Sequence, residues 1–272
     1  MNVNLLTLSV TVIIWASGAL AFDPADLKKL RDTGECANCS LSDADLRGAN
    51  LEGADLRGAN LTYANLKGVN LGWGNLAGTL LGSANLEGAN LTNANLIGAD
   101  LSIAIMRYAD LRNAELTEAE LTGADLIYTN LMGADLNGAI LTDADLEYAN
   151  LNDADLMGAN LVGVHLYKAD INCADLTASN LKSANLWYAN LEGADLTAAK
   201  LTGAEFTAAN LAGANLQFTD LTGADLEGAD LTDANLEGSN IKNARMKDTI
   251  LRNTILDINT GWERRMANCD DD

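Results

Sequence analysis

From Leu41 to Leu256 every fifth residue is apolar, Leu everywhere except Met106, Ile171, Phe206, Ile241 and Met246. Two residues before each stands a small residue, usually Ala, and Asp or Asn lies between them, so the unit is A-(D/N)-L-x-x. A spacing of five would swing successive Leu side chains about 140° around a helix axis, which leaves no coherent apolar face. In an extended strand, by contrast, Ala and the Leu two residues later point to one side while Asp/Asn points to the other. The pattern therefore predicts three extended residues and a two-residue turn, repeated without a slip in phase.

The outward residues set how many units close one circuit. Hydroxyl side chains directly after the central Leu fall at Ser42, Thr62, Ser102, Thr122, Thr142, Thr202 and Thr222, all separated by multiples of twenty. Tyr108, Tyr128, Tyr148 and Tyr188 share the same period. Four units per coil turn the 44 units into 11 coils, and a strand spacing of about 4.8 Å makes a rod roughly 53 Å long. Stacked coils are parallel strands, whose crossovers are overwhelmingly right-handed. Ala is required inside because rows of Leu already fill so narrow an axis.

The flanks are different in kind. Residues 1–21, uncharged, with an apolar stretch ending in Ala19-Leu20-Ala21, read as a secretory signal peptide cut after Ala21, with an uncleaved anchor as the alternative. In Phe22-Asp23-Pro24-Ala25-Asp26 the signals of a helix start follow one another: Asp at the N-cap, Pro at N1 and Phe22 as a staple. That helix should run to about Thr33, stop at Gly34 and cover one end of the core. Cys36 and Cys39 have C-x-x-C spacing. Haem attachment is excluded by Ser40, while zinc lacks a second pair and a redox site lacks a βαβ context; a structural disulfide is the reading favoured, worth about 2 kcal/mol as a short loop closure. At the other end Trp262 and Met266 are expected to close the core, and Asp270 to Asp272 form a solvated tail.

The tandem A-(D/N)-L-x-x unit, across about four-fifths of the chain, resembles the pentapeptide repeat proteins. The resemblance implies an all-β fold, a right-handed quadrilateral parallel β-helix with a short N-terminal capping helix and a short C-terminal cap. The expected organisation is signal peptide 1–21, capping helix and C-x-x-C 22–40, β-helix 41–260, and C-terminal cap with acidic tail 261–272. The order of these parts is similar to exported cyanobacterial members, which implies the periplasm or thylakoid lumen as destination.

Composition narrows function further. Lys and Arg total 17 against 38 Asp and Glu, a formal charge of minus 21. Such a balance opposes nucleic-acid binding, which needs cations to displace counterions. No GxSxG motif, Gly-rich phosphate loop or second histidine is present, so no catalytic residue, cofactor or metal ligand is assigned, and His165 reads as a surface histidine. Two surface features stand out. Tyr108, Tyr128, Tyr148 and Tyr188 form a stripe with Lys168 in the vacant slot and Tyr167 and Trp187 alongside, and between Asn113 and Tyr167 there is no Lys or Arg but many carboxylates. Aromatic rings with polar tips suit binding surfaces, although stacked identical residues also stabilise a ladder. The chain is thus expected to be a non-enzymatic exported scaffold, monomeric or associating end to end, with a protein partner at the stripe and no membrane contact after signal cleavage. The alternative comes from relatives whose acidic rods protect DNA gyrase by mimicking DNA.

Overall fold

The computed structural model describes residues 21–256. The expected signal peptide, apart from Ala21, and the expected closure by Trp262 and Met266 lie outside them. Among the described residues, no helix is long and apolar enough to cross a membrane.

Helix α1 spans Pro24–Thr33, its Asp23 side chain accepting from the Ala25 N–H and Gly34 closing it in the left-handed conformation (φ 71°). Only Leu27 and Leu30 are buried, and both join the core at the start of the coils. From Glu35 on, the backbone pairs in parallel with residues twenty ahead: Ser40 with Asn60, Asp45 with Asn65, Asn50 with Asn70, Asp55 with Asn75. Four such ladders run the length of the chain, and the last pairing lengthens into two short strands, β1 (Asn235–Leu236) and β2 (Ile255–Leu256). A coil is therefore twenty residues and four units, as the hydroxyl and tyrosine periods predict.

The C-x-x-C belongs to this solenoid rather than preceding it. Cys36 and Cys39 are disulfide-bonded, but Cys36 also takes the Leu slot and Cys39 the Ala slot of an ordinary turn. The Cys39 N–H donates to the Cys36 carbonyl at 3.1 Å, and Glu35 pairs with Asp55. The coils thus start about five residues before the expected boundary at residue 41.

Each unit closes as a β-turn in which the Ala N–H donates to the carbonyl of the Leu three residues back, for example Ala64 to Leu61 at 2.9 Å. The residue before Ala always has positive φ, from Asp43 (58°) to Asn253 (57°), as a type II turn requires. Four of the five backbone N–H groups in a unit find backbone acceptors. The fifth, on the residue after Leu, is taken by the Asp/Asn side chain: Asn60 Oδ1 accepts from Thr62 at 3.0 Å, and Asp175 Oδ1 from Thr177 at 2.8 Å. The polar position thus serves the backbone as well as the solvent, which is why short carboxylates and amides fill it.

Inside, Leu and Ala are buried along nearly the whole column, with Ala49 and, at the C-terminal end, Ala244, Met246, Leu251 and Leu256 only partly buried. Where Ser or Thr takes the Ala slot, the hydroxyl donates to a carbonyl, Thr79 Oγ1 to Leu56 at 2.8 Å and Ser179 Oγ to Leu176 at 2.6 Å. Thr249 and Thr254 near the C-terminal end do the same, to Leu226 and Leu231. No buried side-chain polar atom is unsatisfied among the described residues.

Candidate functional site: an aromatic column on one corner

One corner of the rod is built from the turn pairs 107–108, 127–128, 147–148, 167–168 and 187–188, stacked by the ladder. The rings of Tyr108 and Tyr128 lie 5.2 Å apart and nearly parallel, and Tyr128 and Tyr148 follow at 4.8 Å. Lys168 interrupts the column. Tyr167, from the other row of the corner, meets both Tyr148 and Tyr188 edge-on at 5.6 and 5.9 Å. The Lys168 ammonium lies 5.2–5.9 Å from the centroids of Tyr148, Tyr167 and Tyr188, a cation held by three rings. The Tyr167 phenol, then Tyr148, holds that ammonium above its ordinary value, and desolvation, then Tyr167, raises the Tyr148 phenol. Trp187 is 41% exposed beside Tyr188. The six aromatic residues expected to form a stripe do share this corner.

The column shares its backbone conformation with the equivalent turn position of all the other units. Tyr108, Tyr128, Tyr148, Lys168 and Tyr188 occupy the turn position with φ of 54–60°, where eighteen glycines of the chain also have positive φ. Side chains other than Gly, Asn and Asp enter that region at a cost. Yet the four column tyrosines leave 37–61% of their surface in solvent, so core burial does not offset that cost. Stacking returns part of it, about 0.5–1.5 kcal/mol per ring pair.

Neighbouring side chains extend the apolar surface and give it charge. Ile103, 65% exposed, and Ile105 precede Tyr108 on the same coil. Arg107 pairs with Asp125, while Asp145, Glu147 and His165 gather on the adjoining face, with potential ligand atoms within 4.8 Å of one another. Sequence analysis reads His165 only as a surface histidine; its two acidic neighbours come from the preceding coil and become visible once the twenty-residue register is applied. Nothing in this corner pairs a nucleophile with a base.

Successive matches to the pentapeptide repeats cover residues 36–257 with only Gly74 left out. HetL, a pentapeptide repeat protein involved in heterocyst differentiation regulation from the cyanobacterium Nostoc sp. strain PCC 7120, is 36% identical; the match covers 78% of this chain and 88% of HetL, with a TM-score of 0.32. A pentapeptide repeat protein from the Arabidopsis thaliana thylakoid lumen is 27% identical over 44% of this chain and 69% of its own, with a TM-score of 0.25. QnrB1, a plasmid-mediated fluoroquinolone resistance protein, is 17% identical over 71% of this chain and 96% of its own in a trypsin-treated form, with a TM-score of 0.45. No curated protein matches.

Proposed function

The chain belongs to the pentapeptide repeat family, and from that premise we propose that it is a non-enzymatic, exported scaffold whose aromatic corner docks a protein partner. A right-handed, four-sided rod capped by α1 holds side chains at fixed 20-residue intervals, which suits recognition of an extended surface. The observation that carries this reading is the tyrosine column: exposed rings at left-handed turn positions, where a Gly would cost the backbone less. Tyr167 and Trp187 widen the same surface. Export, to the periplasm or thylakoid lumen, is supported by the Ala19-Leu20-Ala21 ending of the apolar N-terminal stretch and by the Cys36–Cys39 disulfide, which suits an oxidising compartment.

The test compares the wild type with Tyr128→Gly/Tyr148→Gly. Gly is the commonest residue at that turn position, so the variant keeps the fold. Cross-linking in the native exported fraction should give a defined adduct with the wild type and none with the variant; equal adducts would reduce the column to a structural ladder. Intact mass and fractionation test export: the expected species begins at Phe22 and is lighter by two hydrogen atoms than the reduced chain, for the Cys36–Cys39 disulfide. A full-length cytoplasmic chain would instead favour the second reading, an acidic DNA mimic acting on an enzyme such as gyrase, which the charge of minus 21 permits. A supercoiling assay with added protein should then show inhibition or protection, whereas the scaffold reading expects no effect.

A further inference from the structure

We propose that Asp145, Glu147 and His165 form a three-donor site for a borderline divalent transition-metal ion, Zn²⁺ or Cu²⁺, on the face beside the aromatic column. The proposal does not depend on partner docking.

The three residues come from two adjacent coils, and the ladder sets their spacing. Asp145 and His165 are paired residues in register, and the Leu146 N–H donates to the His165 carbonyl at 2.7 Å. Glu147 follows in the same turn, its N–H donating to Asp145 Oδ1 at 3.1 Å, which orients the Asp carboxylate and leaves Oδ2 free. One ligand atom from each residue lies within 4.8 Å of the other two, and His165 is exposed. Tetrahedral donors at metal bonds of about 2.0–2.2 Å stand roughly 3.4 Å apart. Closing that gap calls for rotamer changes of Glu147, which is half-buried, and of His165, which is exposed.

The donor set selects the ion. One imidazole with two carboxylates suits Zn²⁺ and Cu²⁺, whereas Ca²⁺ and Mg²⁺ take all-oxygen shells. His165 is the only histidine of the chain, and it replaces the Asp/Asn of its column at a point where two carboxylates are in reach.

The local field also calls for a cation. Asp125, one coil earlier in the same column, is neutralised by Arg107, and Asp225 further along by Arg245. Among the described residues neither Asp145 nor Glu147 has an ion-pair partner. The sequence has no Lys or Arg between Asn113 and Tyr167, and the nearby Lys168 ammonium is directed onto three tyrosine rings. Three protein donors leave at least one coordination position for water or for a donor from another molecule.

The experiment titrates the metal-stripped full chain with Zn²⁺ by calorimetry and with Cu²⁺ by electron paramagnetic resonance, alongside His165→Asn and Glu147→Gln. Asn occupies the His165 position of the same column at Asn65, Asn85 and Asn185, so that variant keeps the fold, which circular dichroism verifies. The wild type should show a step of one ion per chain and nitrogen coupling in the Cu²⁺ spectrum. His165→Asn should weaken the step at least tenfold and abolish the nitrogen coupling, and Glu147→Gln should weaken it without removing the coupling. Only diffuse uptake of several ions, or a one-ion step equal in wild type and His165→Asn, would overturn the proposal. Tyr128→Gly/Tyr148→Gly should bind the metal as the wild type does, so failure of the docking reading and failure of the metal site are told apart.

Discussion

Ile103 states the residue-scale problem plainly: a β-branched side chain, 65% exposed, at φ 58°. Left-handed backbone costs an ordinary L-residue about 1–2 kcal/mol, and Ile103 has little burial to offset it. Asn stands at the same turn position at Asn93, Asn113 and Asn243, and its short side chain tolerates that conformation. Ile103→Asn should therefore raise stability by about 1 kcal/mol, read as a higher denaturant midpoint at unchanged slope. Carboxylates in the polar slot behave as individual residues too. The Thr222 hydroxyl, donating to Asp220 Oδ1 at 2.6 Å, is the main cause that holds Asp220 below the ordinary carboxylate range. Because the folded value is depressed, its stabilising effect is complete above the unfolded carboxylate range and fades as pH falls through the folded value. Thr222→Val should move the Asp220 titration upward in a carboxylate NMR titration, while Val162 shows that the position accepts Val.

At the scale of the element, the five-residue turn is the cooperative part. Its interior has room for a methyl at the Ala slot because each Leu row is flanked by the next coil. Ala134 is buried, whereas Asp135 is outside, its Oδ1 accepting from the Asn137 N–H at 3.0 Å. Ala134→Phe should cost about 3 kcal/mol through overpacking. Asp135→Asn keeps the acceptor oxygen and should change the melting temperature little, so equal melting of the two variants would contradict the inside and outside assignment. The turn pattern was legible in the sequence because a period of five admits no helix. The role of Asp/Asn as acceptor for the fifth N–H was not: alternation of faces says only that the side chain points outward. The Cys36–Cys39 turn was legible in principle, since Cys36 is five residues before Leu41, but two cysteines hide the apolar and small slots they fill.

Across the whole molecule, stacked coils concentrate like charge. The formal charge of minus 21 repels itself along the rod, and salt screens it over about 10 Å at 0.1 M. Moving from 10 mM to 0.5 M sodium chloride should therefore raise the melting temperature; a fall would mean that the ion pairs of Arg47, Arg57, Arg112 and Arg245 with their carboxylates outweigh self-repulsion. Those pairs are largely exposed, and such pairs contribute little each. The rod also decides which residues can act together, for it brings positions twenty apart in sequence to adjacent rungs.

Taken alone, the sequence determined the unit, the coil of twenty and the side on which each residue stands, because strict periodicity leaves one geometry that buries all the Leu and Ala. It also determined that the six aromatic residues share a corner, since that follows from register. Tertiary structure alone decided what the register cannot carry. The Lys168 ammonium settles among three rings, the column tyrosines hold left-handed backbone, and Asp145, Glu147 and His165 converge within 4.8 Å. The left-handed backbone follows from the type II turn that closes every unit, while the placement of Lys168 and of the three donors depends on side-chain rotamers that contacts between coils set.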